Sequence, residues 1–120
     1  MFVFSTALLD GSSGVKQLYK RSGGDVTVQC FFTNPKGSKY FCREECGETK
    51  NVLVKTSGYK KQSGRYSIRY FTELGGQGGF LIVTITQLIS SDSGRYRCSM
   101  GEESHRDFEV IVTDGKFPLE

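Results

Sequence analysis

An all-β sandwich of two antiparallel sheets is the fold class that the sequence predicts, and three observations predict it. Cys30 and Cys98 are widely separated, and the second ends the run Ser91-Asp92-Ser93-Gly94-Arg95-Tyr96-Arg97-Cys98. A cystine that crosses two packed sheets sits mid-core, and a tyrosine two residues earlier shares its inward face, with a hydroxyl that can bond back to the backbone. Short segments of strict apolar–polar alternation recur along the chain. Glycine- and proline-bearing turn signals separate them, at Thr33-Asn34-Pro35-Lys36-Gly37, at Ser57 to Gly64 and at Gly75-Gly76-Gln77-Gly78-Gly79.

The strands follow in order. Asp25 to Cys30 turns Val26, Val28 and Cys30 to one face, and Ser38 to Arg43 and Asn51 to Lys55 form a neighbouring pair. Arg65 to Tyr70 sets Tyr66, Ile68 and Tyr70 against Arg65, Ser67 and Arg69. Phe80 to Thr86 points Leu81, Val83 and Ile85 inward, with Leu88 closing the core. Asp107 to Thr113 alternates Phe108, Val110 and Val112 against Asp107, Glu109 and Ile111. The glycine-rich run at 75–79 has no helix after it, so it reads as a hairpin loop and not a phosphate cradle.

The chain has 120 residues, 37% hydrophobic and 24% charged, which suits one globular domain. Four cysteines at this length point to a disulfide framework in an oxidising, extracellular compartment. A net charge of +3 without a dense basic stripe excludes a nucleic-acid binder. The expected organisation is a leader remnant, expression start or first strand over 1–14, the sandwich over 15–114, and the start of a stalk with a cloning scar over 115–120. No Asn-x-Ser/Thr acceptor occurs, because Pro35 follows Asn34 and Val52-Leu53 follows Asn51.

Cys42 and Cys46 pose a geometric problem: extended chain would hold their α-carbons about 13 Å apart, against about 5.5 Å in a disulfide. If they bond, the chain turns at Glu44-Glu45, and the bond lies off the core because Cys42 alternates with inward Phe41. A reduced pair with the single histidine, His105, is the competing zinc reading, short of one ligand. Redox activity lacks the Cys-x-x-Cys spacing. Catalysis would need Ser99 or Ser104 beside His105 with an orienting acid, so the expectation is a binding domain and no enzyme.

The segments Lys39-Tyr40-Phe41-Cys42-Arg43 with Cys46, Val52 to Thr56, Gly64 to Ile68 and Asp92 to Cys98 resemble the V-type immunoglobulin domain of the polymeric immunoglobulin receptor, CMRF35-like, TREM and NKp44-type receptor group. The three-residue cysteine spacing is most similar to the fish novel immunoglobulin-like transcripts. The resemblance covers about residues 15 to 113. It implies an intersheet bond between Cys30 and Cys98, a second bond between Cys42 and Cys46, a tyrosine corner at Tyr96 and a salt bridge from Arg65 to Asp92. Phe41 stands where the group usually has tryptophan, and Ser104 to Phe108 lacks the Gly-x-Gly bulge of paired variable domains.

The resemblance further implies the ectodomain of a single-pass innate immune receptor on the outer side of the plasma membrane. Such a receptor signals through an adaptor or phosphatase engaged by segments outside this sequence, and the isolated domain is expected to be monomeric. The alternatives are homophilic adhesion and immunoglobulin binding. Two ligand surfaces are expected. Loops Thr33 to Ser38, Ser57 to Ser63 and Met100 to Arg106 offer Lys36, Lys60, Lys61, Met100, Glu102, Glu103 and His105. In lipid-binding members of the resembling families such a cleft takes an anionic phospholipid headgroup with calcium, here held by Glu102, Glu103 and Asp107. The second surface is a sheet face with Tyr40, Arg97, Ser99, Glu109 and Ile111 outward, suited to a cell-surface protein. Apart from that calcium, no cofactor is expected.

Overall fold

The computed structural model describes residues 7–9, 15–33, 35–73, 75, 78–101 and 104–114. Ten strands run in chain order: β1 Ala7–Leu9, β2 Lys16–Arg21, β3 Val26–Phe32, β4 Lys39–Arg43, β5 Val52–Thr56, β6 Lys60–Ser63, β7 Tyr66–Thr72, β8 Gly79–Ile85, β9 Gly94–Met100 and β10 Ser104–Thr113. They form two sheets, a back sheet ordered β1-β3-β8-β7-β6 and a front sheet ordered β2-β10-β9-β4-β5. Neighbours are antiparallel except at one edge of each sheet, where β1 runs parallel to β3 and β2 parallel to β10.

Alternation explains the core. In β3 the inward Val26, Val28, Cys30 and Phe32 are buried while the residues between them are half-exposed, and β8 repeats the pattern with Leu81, Val83 and Ile85. Ile68, Leu88, Tyr96, Phe108 and Val110 complete the interior. Expected boundaries are met to within one or two residues for most strands, but the last strand begins at Ser104, which lengthens the front sheet toward the turn before it.

Both disulfides form as the resemblance implies. Cys30–Cys98 joins the sheets with α-carbons 6.7 Å apart, and Cys42–Cys46 has them 5.4 Å apart. The turn falls at Glu44, in the left-handed region with φ 68. Glu45 organises it: its carboxylate accepts from the Gly47 N–H and from Asn51 Nδ2 at 2.9 Å. Cys42 stands outside the core cluster but is fully buried. Phe41 fills the tryptophan position among the rings of Tyr96 (5.8 Å), Tyr66 (6.2 Å) and Phe108 (6.3 Å).

The lower end of the sandwich is held by Asp92, in a 3-10 turn over Ser90–Asp92. Arg65 donates to it through Nη1 (2.8 Å) and Nη2 (3.0 Å), and the Ile89 N–H donates at 2.9 Å. The Tyr96 hydroxyl donates to the Asp92 carbonyl, forming the expected tyrosine corner. Burial pushes the Tyr96 phenol up to about 12, with the Arg43 guanidinium opposing.

Candidate ligand-binding face

The outer face of the front sheet is built rung by rung from the strand register. Lys55, Tyr40, Ser99 and His105 stand opposite one another across β5, β4, β9 and β10, and the next rung carries Cys42, Arg97 and Asp107. Residues two apart on a strand share a face, so Tyr40, Arg97 and His105 converge although 65 positions of sequence separate the first from the last. Lys55 Nζ lies 5.3 Å from the Tyr40 ring centroid.

A concavity of about 380 Å³ opens on this face. Tyr40, Arg97 and His105 line it, and its two rims are Cys46 and Gly47 from the crosslinked turn and Gly101 from the turn between β9 and β10. Arg97 Nε donates to Asp107 Oδ1 at 2.8 Å and Nη2 to Oδ2 at 3.0 Å, a bidentate pair that fixes the guanidinium. The Asp107 hydrogen bond raises the Arg97 pKa, keeping it charged. The Ser99 hydroxyl is buried and directed at the carbonyls of Gly101 (2.9 Å) and Ser104 (3.2 Å) rather than at His105 across the ladder.

Several expected site residues are placed elsewhere. Met100 is no loop anchor: it ends β9 and is buried in the core, because the ladder continues to the Met100–Ser104 pair. Lys60 and Lys61 belong to β6, an edge strand of the back sheet, because residues 60 to 63 pair with β7 and do not extend the loop. His105 lies in β10 and not in a loop, while Asp107, in the last strand as expected, accepts from Arg97 through both carboxylate oxygens. Glu102 and Glu103 lie outside the described residues. Lys36 is exposed beside the turn at Gly101.

The first and third loops meet backbone to backbone. A β-carbon at Gly101 would lie 2.7 Å from the Lys36 carbonyl oxygen, and one at Gly37 would lie 3.0 Å from the Gly101 α-carbon. Both glycines have positive φ, 68 and 93, and the Gly101 N–H donates to Ser38 O at 2.8 Å. The open space is therefore between the crosslinked turn and Gly101, on the sheet face. All four cysteines are in disulfides, which leaves no thiols for a Cys42–Cys46–His105 zinc set. Among the described residues no group of three or more histidine, cysteine or carboxylate side chains is arranged to hold a metal.

One cluster has no counterpart in the sequence reading. Lys39 is buried, and its ammonium donates to Gly58 O (2.9 Å) and Ser57 O (3.3 Å) while lying 4.6 Å from the Tyr70 ring centroid and 5.6 Å from that of Tyr59. Lys39 shares the inward face of Phe41, so its charge needs acceptors and rings inside the sandwich. It ties the turn at 57–59 to both sheets beside the candidate face.

The immunoglobulin V-set domain model matches residues 16–113. The chain belongs to the immunoglobulin V-set family. Among curated relatives, this V-set domain is 31% identical over 111 residues to the human polymeric immunoglobulin receptor, covering 85% of this chain and 14% of that protein. It is 28% identical over 104 residues to the mouse Trem-like transcript 4 protein, covering 84% of this chain and 39% of the relative. Among solved structures, the NK cell receptor Nkp44 superposes with a TM-score of 0.65 at 23% identity, covering 84% of this chain and all of that one, a likeness of fold. The V-set domain thus spans a small part of the polymeric immunoglobulin receptor.

Proposed function

We propose that this V-set domain, with residues 15–114 as its recognition unit, is the extracellular ligand-recognising part of a single-pass innate immune receptor. It binds a protein on the outer face of the front sheet, and segments outside this sequence convey the signal through an adaptor or phosphatase. The observation that carries the reading is the concavity in which Tyr40, an oriented Arg97 and His105 converge between two pinned turns. Tyrosine and arginine are frequent anchors of protein contacts, and rigid presentation lowers the entropy lost on binding. The closed seam between Lys36-Gly37 and Gly101, together with the engagement of Asp107 by Arg97, favours a protein over a calcium-bridged lipid headgroup at this end. Polymeric immunoglobulin is a specific second reading, favoured by the relative named above.

A tetramer of the domain applied to leukocytes and epithelial cells, with and without trypsin pretreatment, tests the protein reading. Staining is expected to fall at least tenfold after trypsin, and purified polymeric immunoglobulin serves as a defined competitor. Staining with no trypsin-sensitive component rejects a protein ligand.

A further inference from the structure

The outer face of the back sheet breaks the polar-outward rule at one end. Phe31, Phe80 and Phe71 stand opposite one another across β3, β8 and β7. Phe31 and Phe80 have ring centroids 5.1 Å apart, and Phe71 is 46% exposed with the Arg69 guanidinium 5.4 Å from its ring. The next rung continues the patch: Leu8, 50% exposed, then Gln29, Ile82, Arg69 and Lys60. Among the described residues, no outward position within β3, β8, β7 or β6 carries a carboxylate, and the exposed Glu73 follows two residues beyond Phe71 at the end of β7.

We propose that this face is a docking surface for an anionic phospholipid bilayer, separate from the front-sheet site. The apolar members of the patch are hydrocarbon side chains without a polar tip, whereas protein hot spots favour tyrosine, tryptophan and arginine in pockets. Hydrocarbon contact beside cations is what adsorption to a negatively charged bilayer requires. A second copy of the chain fits poorly, because both partners would bring the cations Lys60 and Arg69 to one contact face. The aromatic rung also lies at the far end of β3 from Val26, about 17 Å away, whereas β10 ends near Val26, with Ser22 bonded to Thr113. The rung therefore faces away from the exit of the last strand.

Vesicle sedimentation in a chelator at physiological salt tests the proposal. The domain is expected to sediment with vesicles of phosphatidylserine and phosphatidylcholine and not with phosphatidylcholine alone. Phe71→Ser is expected to weaken binding about tenfold, and Lys60→Gln and Arg69→Gln about fivefold each. Tyr40→Ala and His105→Ala are expected to leave it unchanged. The substituted back-face side chains are exposed, so an unchanged thermal midpoint verifies folding. No sedimentation, equal binding to neutral vesicles, or loss confined to the Tyr40 and His105 variants overturns the proposal. Retention on polyglutamate instead, lost in the Lys60 and Arg69 variants, overturns it in favour of an acidic protein.

Discussion

Replacing Cys30 and Cys98 together by alanine is expected to lower the unfolding free energy by about 4 kcal/mol, a large share of what a domain of this size holds. The bond spans 68 positions, and both residues are fully buried in the core cluster. Its removal releases a long loop in the unfolded chain and empties the centre of the sandwich. Removing Cys42–Cys46, which spans 4 positions, is expected to cost only about 2 kcal/mol. That second loss should act on the front face, because Cys46 and Gly47 form a rim of the concavity. Urea titrations of the two double variants measure the difference. Equal losses would contradict the assignment of Cys30–Cys98 as the main staple.

Asp92→Asn is expected to cost about 2 kcal/mol at neutral pH and to flatten the acid limb of the stability profile. The Arg65 hydrogen bonds, helped by the Ile89 N–H, hold the Asp92 carboxyl below its ordinary value of 3.8. A carboxyl lowered in the folded state adds stability that is present above the unfolded value and lost as pH falls through the folded one. The native domain should therefore weaken in acid below about pH 4, and the variant should lose less over the same interval. Arg65 is about a third exposed, so its charge reaches water in the variant, keeping the cost under that of a fully buried pair. Thermal melts from pH 7 to pH 2 measure both effects. A variant with the native acid limb would show that Asp92 does not govern it.

Local patterning made most of the fold legible. The alternation of β3 and β8 names their inward residues, the run from Gly94 to Cys98 sets the tyrosine and the cystine on one face, and a bond between Cys42 and Cys46 requires the turn found at Glu44, whereas the Arg65–Asp92 salt bridge follows from the family resemblance. The face was legible in part. Tyr40 and Arg97 follow from strand parity, but the sequence leaves Met100 and His105 in a loop because no marked turn signal limits the segment after Cys98. Gly101, with φ 68 between the paired Met100 and Ser104, is the signal that would have shortened that loop. Lys60 and Lys61 read as loop for a different reason: a polar edge strand carries no apolar alternation to betray it. Lys39 shares a face with Phe41 in the sequence, but its meeting with Tyr59 and Tyr70 depends on how the sheets stack, which pairing rules do not specify.

Trypsin-sensitive cell staining by tetramers of Tyr40→Ala, His105→Ala and Phe71→Ser separates the front face from the back. The two front-face variants are expected to lose at least tenfold in apparent affinity while Phe71→Ser retains trypsin-sensitive binding. Full binding by both front-face variants would contradict the assignment of the concavity as the recognition site.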